Sequence, residues 1–291
     1  MCDKDDFDAF AQYDLKNAMS RRQFGALSLG AGLLGALPAV ANAAEVTESE
    51  VSIRTPDGTC DAHWVHPVKG AHAAVIVWPD IFGLRPAFRQ MGKRLAESGY
   101  AVLTVNPFYR LQKAPTSPEN ANFGDPATRQ MLMSQMGSLN AQTQMTDAKA
   151  FIAWLDQQPA VDGKRKIGTT GYCMGGPIVM RTAAAVPARV GAGASFHGGG
   201  LVTDKPDSPH LLVPQMKAAF LFAIADNDDQ KEPEVKNVLR KTYDENKLAA
   251  EIEVYKGAMH GWCPPGSAAY NAEAAEKAWA RLLALFKGAL A

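Results

Sequence analysis

Short, continuously apolar segments alternate with amphipathic segments along most of the chain. Apolar runs of this length predict buried parallel strands, and apolar residues three or four positions apart predict one face of a helix. The predicted strands are 51–54, 61–66, 73–78, 100–105, the segment that leads into Gly171, 190–196, 218–225 and 252–255. The predicted helices are 85–97, 127–158, 177–186, 232–248 and 267–290.

This alternation of strand and helix predicts an α/β fold, with a mostly parallel sheet and helices on both faces. The first two strands flank a Pro56-Asp57-Gly58 turn. Residues 111–126 are rich in Pro, Asn and Gly and predict a loop over one end of the sheet. We expect a single domain over residues 44–291, a length that one hydrophobic core can serve.

Residues 1–43 have the pattern of an export signal. Ser20-Arg21-Arg22-Gln23-Phe24 carries an arginine pair, 26–40 is apolar, and Ala41-Asn42-Ala43 is a small-x-small cleavage site. The apolar run is shorter than the roughly 20 residues of a spanning helix. We therefore expect export through the twin-arginine machinery to the periplasm, cleavage near Ala43, and no stable membrane span in the mature protein.

Composition excludes several function classes. Apolar residues make up 47% of the chain and the formal net charge is zero, which is typical of a globular enzyme and leaves no basic footprint for nucleic acid. No Gly-rich phosphate loop follows a strand, so no cofactor is expected. Cys60, His63 and His66 include metal-ligand types, but strand positions three apart point to opposite faces, so we expect no metal site.

A cysteine at a sharp turn is the most informative chemical feature. The segment Gly171-Tyr172-Cys173-Met174-Gly175 joins an apolar strand to a small-residue helix. This is the Gly-x-Ser-x-Gly nucleophile elbow of α/β-hydrolases, with sulfur in place of oxygen. A helix N-terminus beneath Cys173 would favour its thiolate.

A thiol nucleophile needs a base, and the base needs an orienting acid. Two predicted strands downstream end at the cluster Asp226, Asp228 and Asp229 and at His260. These positions follow the hydrolase order of nucleophile, acid and histidine. His260 is the predicted base. Asp228 is the chosen acid, with Asp229 as the alternative.

The remaining cysteines leave one question open. Cys2 lies in the predicted signal, so the mature chain keeps Cys60, Cys173 and Cys263. An odd number leaves at least one thiol outside any internal pair. Cys60 and Cys263 could form a disulfide or remain two thiols.

The chain resembles the dienelactone hydrolase family. The resemblance is carried by 78–83 (Trp-Pro-Asp-Ile-Phe-Gly), 106–110 (Asn-Pro-Phe-Tyr-Arg), 171–176 and the two strand ends with Asp and His. It covers nearly the whole mature chain and implies an α/β-hydrolase fold. It also implies a triad of Cys173, Asp228 and His260.

Further roles are implied by the same resemblance. The backbone amides of Ile81 and Met174 would form the oxyanion hole. Asp80 stands where the family usually has a glutamate that contacts the thiol. Arg110 would be one of two arginines that hold a substrate carboxylate, and Pro264 stands where the second would fall. Contacts to substrate are also expected from Phe82, His197 and Trp262, while His197-Gly198-Gly199-Gly200 follows the nucleophile and is therefore not the lipase oxyanion motif.

These observations predict a hydrolase of small-molecule carboxylic esters or lactones that works through a thioester, similar to carboxymethylenebutenolidase. The alternative is a periplasmic thiol redox or binding protein on the same fold, in which Cys173 is oxidised without hydrolysis.

Overall fold

A computed structural model describes residues 37–291. Eight strands form one sheet: β1 Val46–Thr55, β2 Gly58–Pro67, β3 Ala74–Trp78, β4 Ala101–Val105, β5 Ile167–Tyr172, β6 Val190–Phe196, β7 Ala219–Ala225 and β8 Ala250–Tyr255. Their order is β1-β2-β4-β3-β5-β6-β7-β8. The pairings from β4 to β8 are parallel, and β2 is antiparallel to both β1 and β4. The predicted mostly parallel α/β sheet is confirmed.

Seven α-helices accompany the strands in the described part of the chain: α1 Pro86–Glu97, α2 Pro126–Gly137, α3 Ala141–Leu155, α4 Gly175–Ala185, α5 Asp226–Lys231, α6 Val235–Glu245 and α7 Ala272–Ala289. The single helix predicted over 127–158 is two helices, because Asn140 caps a new one with a reciprocal Asn140–Thr143 pair. The helix predicted over 232–248 begins only at Val235. Pro233 precedes it, and a proline lacks the amide that a helix interior needs.

The sheet separates two apolar clusters. On one face, Phe151 of α3, Val179 of α4 and Tyr243 of α6 are fully buried. On the other face, Phe88 of α1 and Phe286 of α7 are fully buried. Helices therefore cover both faces, which explains why the parallel strands are continuously apolar.

The predicted export signal is largely outside this description. The arginine pair of the twin-arginine motif lies outside residues 37–291, and so does most of the apolar run. Ala41, Asn42 and Ala43 are described and exposed. Within the described residues, no helix combines the length and the apolar character needed to cross a membrane.

The parallel strands bring the chemistry to one edge. Because β3, β5, β6, β7 and β8 run in the same direction, their carboxyl ends share an edge of the sheet. Open α/β sheets bind ligands at this edge. The segments that follow these strands contain the residues predicted from the sequence to form a site.

Candidate active site

Cys173 lies in a strained turn between β5 and α4. Its φ angle is 53°, in the left-handed region that non-glycine residues rarely adopt. Two backbone hydrogen bonds hold the turn, from the Cys173 amide to the Phe196 carbonyl at 3.0 Å and from the Gly176 amide to the Cys173 carbonyl at 3.0 Å. Backbone strain of this kind is concentrated at functional sites.

The glycines on either side of the turn are required by close backbone contacts. A Cβ atom on Gly171 would lie 2.2 Å from the Gly175 carbonyl oxygen. A Cβ atom on Gly175 would lie 2.4 Å from the carbonyl oxygen of Trp78, at the end of β3. Because both obstacles are backbone atoms, no side-chain rotation could relieve them. The Gly-x-Cys-x-Gly spacing is thus a packing requirement of the elbow.

His260 and Asp228 form a close pair beside the elbow. His260 follows β8, and its Nδ1 lies 2.7 Å from Oδ2 of Asp228 in α5. The His260 amide donates to the side-chain oxygen of Asn227 at 2.8 Å, which holds the backbone of the histidine in place. Because Nδ1 faces Asp228, the other ring nitrogen, Nε2, points away from this carboxylate.

The neighbouring aspartates have other partners. Asp229 pairs with Lys236 of α6 at 2.5 Å. Asp226 accepts hydrogen bonds from the Gly257 amide and from Lys256, both at 3.0 Å. Of the three clustered carboxylates, Asp228 is therefore the one that reaches the imidazole.

Cys173 and His260 open onto one cavity of about 370 Å³. Ile81 and Phe82, which follow β3, line it as well. The loop predicted over 111–126 supplies another wall through 117–123, and 266–268 supply a third. The loop residues had no chemical signal in the sequence beyond their expected position over the end of the sheet.

His197 lies deep in the same cavity. Its side chain is 1% exposed, its φ is 40°, and its ring centre lies 5.1 Å from that of His260 in an edge-on arrangement. Neither ring nitrogen has a hydrogen-bond partner among the described residues. Burial lowers the pKa of His197 well below its usual value, and the nearby His260 lowers it further. His197 is therefore a neutral imidazole that can bond a ligand in the cavity.

Asp80 lines the cavity but is engaged by an arginine that was not predicted from the sequence. Arg85 donates to both carboxylate oxygens of Asp80, at 2.5 and 2.8 Å, and the Phe82 amide donates to one of them at 3.0 Å. A contact from Asp80 to the thiol of Cys173 stays a prediction. The only signal for Arg85 was its position five residues after an acid.

Arg110, expected from the sequence to bind substrate, has two carboxylate partners away from the cavity. Its guanidinium donates to Asp147 at 2.7 and 2.8 Å and to Asp57 at 2.6 and 3.1 Å, and it does not line the cavity. The side chain of Asp147 is 2% exposed. Such a buried carboxylate requires a partner, so Arg110 serves the packing of α3.

Trp262, also expected to contact substrate, lies beneath the cavity and not on its wall. Its side chain is completely buried and does not line the cavity. It stacks on Tyr255 at 4.7 Å between ring centres and lies 6.5 Å from Phe196. Gly261, with a φ of 90°, turns the chain after His260. Trp262 therefore belongs to the core beneath the site.

The two backbone amides expected to form an oxyanion hole have no backbone acceptor in the surrounding turns and loops of the described chain. Ile81 follows β3, and Met174 is the first residue after Cys173. Among residues 37–291, neither amide donates to a backbone carbonyl in the turns and loops. An amide without an internal partner can donate to a ligand oxygen.

The other cysteines do not form a disulfide in the described chain. The Cys60 thiol donates to the Asn106 carbonyl at 3.4 Å, while Cys263 packs in the opposite apolar cluster. Burial raises the pKa of both thiols. Within the described residues, no group of three or more His, Cys, Asp or Glu side chains is arranged to hold a metal ion.

Several known proteins are similar to this chain in sequence or in fold. The carboxymethylenebutenolidase homolog of Mus musculus is 30% identical over 213 residues, which cover 70% of this chain and 79% of that protein. The carboxymethylenebutenolidase of Pseudomonas putida is 25% identical over 234 residues, which cover 80% and 93%. A crystal structure from Klebsiella pneumoniae, described as a dienelactone hydrolase, shares the fold with a TM-score of 0.71 at 24% identity and covers 84% of this chain and 99% of that one.

The family model is matched over most of the chain. The dienelactone hydrolase family model matches residues 60–290, from β2 to the end of α7. This range contains the elbow, the Asp228–His260 pair and the cavity. The chain therefore belongs to the dienelactone hydrolase family and is a carboxylic ester hydrolase.

Proposed function

We propose that this enzyme hydrolyses carboxylic esters or lactones with a triad of Cys173, His260 and Asp228, through a thioester. One observation carries the proposal. The imidazole that opens onto the cavity beside Cys173 is held by Asp228 at 2.7 Å. A nucleophile, a base and an orienting acid in this order constitute the machinery for acyl transfer.

The reaction would proceed in two halves. His260 Nε2 takes the proton from the Cys173 thiol, and the sulfur bonds to the carbonyl carbon of the ester. The carbon–oxygen bond then breaks, and His260 returns the proton to the departing alcohol oxygen. In the second half, His260 takes a proton from water, and the resulting hydroxide attacks the thioester carbonyl. The carbon–sulfur bond then breaks, and His260 returns the proton to the sulfur of Cys173.

Asp228 orients His260 and stabilises its charged form during both halves. The amides of Ile81 and Met174 are suited to bind the carbonyl oxygen as it gains negative charge. Phe82 and His197 are proposed to contact the substrate from the cavity wall. Because a thiolate leaves readily, esters and lactones with good leaving groups should react best.

Transfer of an acyl group to sulfur provides the direct test. The protein is mixed with p-nitrophenyl acetate, quenched, and digested for mass spectrometry. We expect an acetyl group on Cys173 that disappears as product forms, with none on Cys60, and no turnover by Cys173→Ala. A stable sulfenic acid or mixed disulfide at Cys173 without ester turnover would instead favour the redox alternative.

We propose in addition that the enzyme is exported by the twin-arginine machinery and works in the periplasm. The Arg21-Arg22 pair supports this, and the exposure of Ala41 to Ala43 leaves the cleavage site accessible. Cell fractionation and N-terminal sequencing should give a periplasmic protein that begins at Ala44. Unchanged export of the double variant Arg21→Lys, Arg22→Lys would contradict the route.

A further inference from the structure

Three charged side chains of the described chain line the cavity, and two of them balance each other. The carboxylate and guanidinium groups that line it are Asp80, Arg85 and Glu119. In the described part of the chain, Arg85 is the cationic side chain among the lining residues, which include no lysine. Its interactions therefore decide whether the cavity can neutralise an anionic substrate.

Arg85 is already occupied. Its two terminal nitrogens donate to the two carboxylate oxygens of Asp80, a bidentate pairing that fixes both charge and orientation. The guanidinium carbon also lies 5.3 Å from the ring centre of Phe82 and 4.7 Å from that of Phe88. A substrate carboxylate could use Arg85 only by sharing it with a carboxylate that remains in place.

Among residues 37–291, no other arginine lines the cavity. Arg110 is held outside it by Asp57 and Asp147, and Pro264 has no charge. Two further carboxylates lie at the site: Glu119 is exposed on the cavity wall, and Asp228 lies behind His260. The other loop residues that line the cavity are uncharged: Ser117, Pro118, Asn120, Ala121, Asn122 and Phe123.

From these contacts we infer that the site selects uncharged esters or lactones and rejects substrates that carry a carboxylate. The inference rests on the proposed hydrolase function. A carboxylate brought into the cavity would lose water and meet Asp80, whose charge is balanced by Arg85, and the additional negative charge of Glu119. An uncharged acyl chain meets neither penalty.

A matched pair of substrates tests the inference: mono-4-nitrophenyl adipate, and the same molecule with its distal carboxylate converted to a methyl ester. The leaving group and the reacting carbonyl are identical, so the pair differs in charge at the far end of the acyl chain. Reaction of each with a small thiol in solution corrects for intrinsic reactivity. We expect kcat/KM to be about tenfold or more higher for the methyl ester, and added NaCl to reduce this preference.

Two variants distinguish charge from shape. Glu119→Lys should raise kcat/KM for the carboxylate substrate by about threefold or more. The preference for the methyl ester over the carboxylate substrate should then be smaller. Glu245→Lys is the control, because that exposed residue ends α6 at the opposite edge of the sheet. Equal hydrolysis of both substrates, or a preference that neither salt nor Glu119→Lys changes, would overturn the inference. If neither ester were hydrolysed, the proposed function would fail, and the inference with it.

Discussion

The carboxylate of Asp228 lies 2.7 Å from Nδ1 of His260, although the two residues belong to segments that follow different strands. A backbone hydrogen bond also joins the two segments, from the Asp226 amide to the Ala258 carbonyl at 2.8 Å. The carboxylate and the imidazole are therefore held as a rigid pair.

This pairing predicts different consequences for two adjacent aspartates. Asp228→Asn should lower kcat/KM for p-nitrophenyl acetate by about 10³-fold, because the imidazole loses its orienting charge. Asp229→Asn is the matched control and should stay within about threefold, because its carboxylate pairs with Lys236. Steady-state kinetics of both variants check this, and the reverse ranking would reassign the acid.

A second prediction concerns Arg110. Arg110→Met should lower the free energy of unfolding by about 3 kcal/mol, because it leaves the buried Asp147 without its cationic partner and with the Tyr109 hydroxyl as its remaining donor. Below its melting temperature the variant should keep kcat/KM for an uncharged ester within about threefold of the unmodified enzyme. Urea unfolding and kinetics on the same preparation measure both quantities. A normal stability combined with a large loss of activity would restore Arg110 to the site.

The buried imidazole of His197 predicts a pH dependence of stability. Burial lowers the pKa of His197, so below the ordinary value of about 6.5 the unfolded chain binds a proton that the folded chain does not. The associated stability is present above that value and is lost as the pH falls, by up to about 1.4 kcal/mol per pH unit.

Urea unfolding at several pH values between about 7.5 and about 5 measures this slope. His197→Gln should reduce the slope, although burial also lowers the pKa of His63 and of His210, whereas His66→Gln, at a partly exposed histidine, should leave it nearly unchanged. An identical slope in His197→Gln would show that this imidazole does not carry the effect.

The elbow predicts a contrast between two glycines. Gly171→Ala should destabilise the fold by about 3 kcal/mol, because its Cβ would lie 2.2 Å from a backbone oxygen. Gly288→Ala, at an exposed position of α7 with open space, should instead stabilise it by about 0.5 kcal/mol. Thermal unfolding measures both. Equal melting temperatures would contradict the close contact at the elbow.

The sheet and the elbow could be predicted because their signals are local. A buried parallel strand is apolar along its whole length, and Gly171 and Gly175 lie four residues apart in one turn. The position of His260 at a strand end was also readable. These features need no knowledge of which distant segments meet.

The partners of the two arginines could not be predicted from local sequence. Arg110 forms an ion pair with Asp147, which lies in α3, and Arg85 forms one with Asp80 across a turn. An arginine is suited equally to a substrate carboxylate and to a structural one. The burial of Trp262 could not be predicted either, since a position two residues after His260 does not reveal which way the chain turns at Gly261.

Cys173, Asp228 and His260 lie in segments that directly follow buried strands, whereas the outer walls of the cavity come from 117–123 and 266–268, which contain no strand. Mutations in these connecting segments can accumulate without disturbing the hydrogen-bonded ladder below. Related enzymes could therefore diverge in the molecules they accept while retaining the same bond-breaking apparatus, and exchanging these two segments is the natural starting point for redesign.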